Sequence, residues 1–70
     1  MRRAQVSSSM IASIGYDPRK RILEIKFVHG RIYQYLDVDL STFKELEGAP
    51  SKGTFFNTHI KDEYACVRIA

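Results

Sequence analysis

Residues 21–36 read Arg21-Ile22-Leu23-Glu24-Ile25-Lys26-Phe27-Val28-His29-Gly30-Arg31-Ile32-Tyr33-Gln34-Tyr35-Leu36, and this stretch decides the fold. Leu23, Ile25 and Phe27 alternate with Ile22, Glu24 and Lys26, the period-two pattern of a strand with one buried face. Gly30 then supplies the positive φ that a tight hairpin needs, and Arg31–Leu36 returns as a second strand. A two-residue loop at His29-Gly30 pairs Val28 with Arg31, Lys26 with Tyr33 and Glu24 with Tyr35. This register predicts that Tyr33 and Tyr35 project from the same face as Lys26 and Arg31.

Upstream, Met10–Tyr16 alternates in the same way before Asp17-Pro18 turns the chain. A four-residue loop over Asp17–Lys20 would set Ile14 against Leu23, Ala12 against Ile25 and Met10 against Phe27. One face then gathers Met10, Ile14, Leu23, Ile25, Phe27 and Ile32 as the core side. The opposite face carries Ile11, Ser13, Glu24 and Lys26 with the two tyrosines.

Downstream the period changes. Leu40, Phe43 and Leu46 fall at i, i+3, i+6 on one side of a helix that Asp37 or Asp39 opens and Gly48 closes. Ala49-Pro50 breaks it, and Ser51 can cap a second helix of about two turns through Phe55, Phe56 and Ile60. Glu63–Ile69 alternates weakly, either as a short C-terminal edge strand or as an extended tail. The expected class is α+β: a three-stranded antiparallel β-meander with the 21–28 strand in the middle, followed by two short helices packed on one face.

With 70 residues, 44% hydrophobic and 27% charged, the chain has the balance of one globular domain. A domain this small buries only about 60% of the surface its unfolded chain exposes, leaving no room for a separate catalytic unit. Its single cysteine, Cys66, cannot close an internal disulfide and is expected as a small buried apolar residue. A reducing, cytoplasmic setting fits that usage, and no stretch is apolar enough to span a membrane. Residues 1–9, with Arg2, Arg3 and a serine run, are expected as a flexible basic arm on a single domain spanning 10–70.

Charge is unevenly spread. Residues 1–35 hold seven Arg/Lys and two Asp/Glu, whereas residues 36–70 hold four and six. A basic front half suits phosphate or an acidic partner. Tyr33 and Tyr35 beside Lys26 and Arg31 would combine base-stacking rings with phosphate-binding cations, with Lys52, Arg2 and Arg3 adding charge. Ser51-Lys52-Gly53, placed where a helix begins, is a candidate anion cradle; the Gly-Lys-Ser/Thr order of a nucleotide-binding P-loop is missing. His29, His59 and Cys66 match no zinc spacing and form no nucleophile–base pair with an orienting third group. No enzymatic activity, metal, cofactor or small-molecule substrate is expected.

The pieces Ser8-Ser9-x-Ile11-x-Ser13-x-Gly15-Tyr16-Asp17, Tyr33-x-Tyr35 and Ala49-Pro50-Ser51-Lys52-Gly53, followed by Phe56-Asn57 and Ile60, resemble the KTSC domain family in order and spacing over roughly residues 6 to 64. That family is named for the C-terminal extension of certain bacterial lysyl-tRNA synthetases and also occurs as free-standing small bacterial proteins. The resemblance implies a small binding module and points to RNA or tRNA as its ligand. Docking on another protein, or homodimerisation, is the alternative that the sequence leaves open.

Overall fold

The computed structural model describes all residues, Met1–Ala70. Its elements are β1 (Ala4–Gln5), β2 (Ile11–Asp17), β3 (Ile22–Phe27), β4 (Ile32–Tyr35), α1 (Leu40–Gly48), α2 (Lys52–His59) and β5 (Cys66–Arg68). The strands form one antiparallel sheet in the order β1-β2-β3-β4-β5. The expected α+β class and the two helices are present, but the sheet has five strands. The C-terminal strand forms, and a further edge strand arises inside the stretch expected as a free arm. Ala4 and Gln5 pair with Ile14 and Ser13, and the Val6 amide donates to the Ala12 carbonyl at 3.1 Å.

Gly15 makes room for that edge. A Cβ at this position would collide with the Arg2 carbonyl oxygen, so the N-terminal backbone can cross β2 only over a residue without a side chain.

Loop length explains the departures in register. The hairpin between β3 and β4 has three residues, Val28–Gly30: the Phe27 amide donates to the Arg31 carbonyl at 3.0 Å, the Gly30 amide donates to the Phe27 carbonyl at 2.9 Å, and Gly30 has φ +100°. A three-residue loop that ends in a left-handed glycine is a common hairpin closure. It pairs Leu23 with Tyr35, Ile25 with Tyr33 and Lys26 with Ile32. This is one residue away from the expected pairing, so all of β4 turns over relative to β3.

The turn from β2 to β3 shifts the register by two, pairing Ile14 with Ile25 and Tyr16 with Leu23, with Arg21 at φ 57°. A shift of two preserves the faces. A bulge at Ala12 then rotates the start of β2, so that Ile11 pairs with Phe27 and is fully buried, the reverse of the face expected for it.

On one side of the sheet the cross-strand rows are therefore Ala4-Ile14-Ile25-Tyr33-Arg68 and Tyr16-Leu23-Tyr35-Cys66. Both helices pack here. Leu46 from α1, Phe56 from α2 and the flanking Val38 and Ile60 close over Ile11, Ile14, Leu23 and Ile25. The Phe56 ring meets Phe27 and Tyr35 edge-on at 5.3 and 5.5 Å, and Phe43 stacks on Tyr16 at 5.0 Å.

Only Leu46 of the expected Leu40-Phe43-Leu46 stripe is fully buried; Leu40 is half exposed. Val38 has taken a core place, held where its amide donates to the Arg21 carbonyl at 2.9 Å and its carbonyl accepts from the Tyr16 hydroxyl. Asp39 precedes α1 but pairs with Arg21 instead of capping an amide, whereas Ser51 caps α2 as expected, its hydroxyl accepting from the Thr54 amide at 3.3 Å.

Candidate functional site

The structure separates the residues that the sequence reading had placed together. Tyr35 lies in the core with 4% of its surface exposed, against Phe56 and Leu23. Burial, then the nearby Cys66 thiol and Tyr33 phenol, push its hydroxyl up to about 12. In the unfolded chain a tyrosine ionises near 10, so the folded state keeps a proton that the unfolded state gives up. The resulting stability is complete below about pH 10 and is lost as pH rises through about 12. An absorbance titration is therefore expected to show one of the four tyrosines ionising last, together with alkaline unfolding.

Lys26 projects from the opposite side of the sheet from both tyrosines, in the row Ser13-Lys26-Ile32. The one-residue change in the β3–β4 hairpin accounts for this. Tyr33 is half-buried and keeps part of its ring in solvent, edge-on to Phe27 at 5.9 Å and tilted against Tyr35 at 6.5 Å.

Directly across from Tyr33 on β5 is Arg68, which sequence reasoning did not single out, because its position depends on a strand whose pairing only the fold reveals. Arg68 and Cys66 point to the helix side yet are exposed, so the helices stop short of the β5 edge. Cys66 is thus a surface thiol, correcting its expected burial; no side chain of the helices reaches far enough to cover it. Arg31 is exposed at the entry to β4 and forms no ion pair, and the Arg68 Nε donates to the Ala70 oxygen at 3.1 Å. Tyr33, Arg31 and Arg68 form an aromatic and cationic strip on sheet that the helices leave bare.

Arg3 is not a free arm residue. Its Nε donates to Ser13 Oγ at 3.0 Å, its guanidinium pairs with Glu24, and Gln34 Nε2 donates to Glu24 Oε1 at 2.9 Å. Burial pushes the Glu24 carboxyl up, but the Gln34 hydrogen bond and the Arg3 hydrogen bond and charge outweigh it, holding the group below the ordinary carboxylate value. No sequence signal marked this cluster, since Glu24 sits at an outward position in the strand pattern and the other members, Arg3, Ser13 and Gln34, come from three other strands or their flanks. Arg2 is exposed, with its carbonyl against Gly15.

Ser51, Lys52 and Gly53 face the Ser7–Ser9 run across a polar cleft of about 300 Å³ that Thr54 and Asn57 extend. The Lys52 ammonium is turned back to the Ala49 carbonyl at 3.1 Å. His29 accepts the Arg31 amide within the hairpin, His59 lies tilted against Phe55 at 4.6 Å, and nowhere do three His, Cys, Asp or Glu side chains gather as metal ligands would. No helix is long and apolar enough to cross a membrane.

The serine run, the Tyr-x-Tyr strand and the Pro-Ser-Lys-Gly turn thus occupy the approach to β2, the last three residues of β4 and the cap of α2, and the family model for the KTSC domain matches residues 7–64. The chain belongs to the KTSC domain family. A KTSC domain protein from Yersinia pestis, known from its crystal structure, is 47% identical and superposes with a TM-score of 0.94 over 99% of this chain and 97% of that one. A protein of Tsukamurella paurometabola is 38% identical over 64 residues, 91% of this chain and 96% of that protein.

Lysine–tRNA ligase from Nostoc sp. strain PCC 7120 is 39% identical over 56 residues, 80% of this chain. The chain spans about a tenth of that ligase's length. The KTSC match takes in Tyr33 but ends at Tyr64, so both edge strands, and Arg68 with them, lie outside it.

Proposed function

We propose that this KTSC domain is a non-catalytic module that binds RNA along the bare strip beside β5, with Tyr33 stacking on a base and Arg31 and Arg68 holding phosphates. The observation that carries this reading is the direct cross-strand placement of Arg68 opposite the half-buried Tyr33, with Arg31 free of ion pairs and Arg68 held by a single hydrogen bond from its Nε to the Ala70 oxygen. Aromatic faces flanked by guanidinium groups are the usual means of holding single strands without reading their sequence.

Support also comes from the relatives. The matched region forms part of lysine–tRNA ligases, proteins named for a reaction on tRNA. Tyr35 and Lys26 have no part in this surface, and Arg2 and Arg3 serve the N-terminal edge. The cleft at Ser51, Lys52 and Gly53 is retained as a separate phosphate recess.

An NMR titration with tRNA and with single-stranded oligonucleotides, repeated over a salt series, tests the reading. Tyr33→Ala should weaken binding about 5-fold or more, equivalent to about 1 kcal/mol for a lost stack. Arg68→Ala should reduce the slope of log affinity against log salt by about 0.7, the share of one single-strand phosphate contact, and Lys52→Ala should do the same if its recess is used. Shifts that avoid β4 and β5, or no binding below millimolar ligand, would refute the RNA reading.

A further inference from the structure

Lys26 does not stand alone on the helix-free side of the sheet. Gln5, Ser13 and Lys26 lie directly across from one another on β1, β2 and β3, so their side chains form one row on that side. Adjacent strands are about 4.8 Å apart, which gives the row a span of about 10 Å. Arg3, two residues before Gln5, falls on the same side, and its Nε donates to Ser13 Oγ at 3.0 Å. These four residues, with Met1 and Ala12, line a cleft of about 300 Å³. We propose that this cleft binds a phosphoryl group, held as the dianion of inorganic phosphate or of a phosphomonoester.

The cleft holds more hydrogen-bond donors than the protein supplies acceptors for. Ser13 is 7% exposed, and its oxygen already accepts from the Arg3 Nε, which can only donate. The hydroxyl must turn its hydrogen elsewhere, and no group of the protein receives it. A donor left over at that depth calls for an acceptor from outside the chain. Arg3 commits Nε to Ser13 and Nη1 to Glu24, while its Nη2 makes no hydrogen bond. Lys26 is half-buried, and its ammonium forms no ion pair.

The nearby carboxylate does not answer these donors. Glu24 is 4% exposed, and its two oxygens are taken by Arg3 and by Gln34 Nε2. Arg3 and Lys26 against Glu24 leave one positive charge in excess, so the ligand that fits is an anion. The free groups are a guanidinium nitrogen, an ammonium, a hydroxyl and the Gln5 carboxamide, set on three strands or their flanks. Donors approaching from several sides suit the three terminal oxygens of a phosphoryl group better than the two coplanar oxygens of a carboxylate. The volume lies at the lower end of the range for ligand pockets, enough for a phosphoryl group and a small remainder. Tyr33 and Arg68 are on the other side of the sheet, so this site is separate from the RNA strip and does not depend on it.

NMR titrations of the whole chain with inorganic phosphate and with glycerol 3-phosphate, at an ionic strength held constant with sodium chloride, test the site. Saturable shifts are expected at the amides of Gln5, Ser13 and Lys26 and at the Arg3 Nε–H. Lys26→Gln should weaken binding about 10-fold, and Ser13→Ala at least about 3-fold. Because Ser13→Ala also frees the Arg3 Nε, Lys26→Gln, which removes no ion pair of the fold, is the deciding variant. Lys20→Gln, in the exposed turn between β2 and β3, should leave binding unchanged. Tighter saturation by glycerol 3-phosphate identifies a phosphomonoester as the ligand, and tighter saturation by phosphate identifies the free ion. No saturation by about 50 mM of either probe, shifts that sodium chloride alone reproduces, shifts that map to the start of α2, or full affinity in Lys26→Gln would each overturn the proposal.

Discussion

Phe56→Ala is expected to destabilise the domain by about 3–5 kcal/mol, the cost of deleting a buried aromatic ring and leaving a cavity. Phe56 is 4% exposed and is the one fully buried residue of α2, edge-on to Phe27 of β3 and Tyr35 of β4. Its removal detaches a helix from the two central strands at once. A 70-residue domain has only about 4–10 kcal/mol to lose, and each kcal/mol shifts the melting temperature by about 4–8 °C. The variant should melt at least about 12 °C below the parent by circular dichroism. A melting curve within 3 °C of the parent would show that α2 contributes little to the core.

Ile25→Ala tests the middle of the sheet and should cost about 2–5 kcal/mol. Ile25 is fully buried at the center of the Ile14-Ile25-Tyr33 row, and β3 is hydrogen-bonded on both sides, so the backbone cannot collapse into the space. Ile25→Val, which keeps the branched strand-forming shape, should cost only about 0.5–1.5 kcal/mol. Urea unfolding separates the two: the midpoints should fall in that order while the denaturant slope stays constant. Equal midpoints for Ile25→Ala and the parent would remove Ile25 from the core.

The fold class was legible because the alternation in β2 and β3 tolerates error. A turn misjudged so that the register moves by two leaves Ile14, Leu23 and Ile25 on the same side, and the helices found that side. The β3–β4 hairpin had no such tolerance. Adding Val28 to the loop moved the register by one, carrying Tyr33 and Tyr35 to the helix side and leaving Lys26 behind.

Nothing in residues 27–31 distinguishes a two-residue from a three-residue closure, since Gly30 serves both. The Ala12 bulge that buries Ile11 is equally silent in the pattern. The candidate site suffered more than the fold because it was defined by which side chains share a face. The network of Arg3, Ser13, Glu24 and Gln34, and the pairing of Tyr33 with Arg68, join residues that only long-range strand pairing brings together.

The place of β5 in the sheet also bears on the order of folding. The pairings among β1, β2, β3 and β4 join strands that follow one another directly, so they can form early as local hairpins. Pairing Tyr35 with Cys66 instead closes a loop of about 30 residues that contains both helices, with an entropy cost that grows as the logarithm of loop length. β5 therefore docks after the helices have collapsed onto the sheet. During synthesis, the chain up to Tyr64 can already hold Tyr33 on β4, but the arginine facing it arrives only when the residues after Ala65 have emerged and paired. A partly made chain thus lacks the assembled strip, and any RNA held there would be held only by the finished domain.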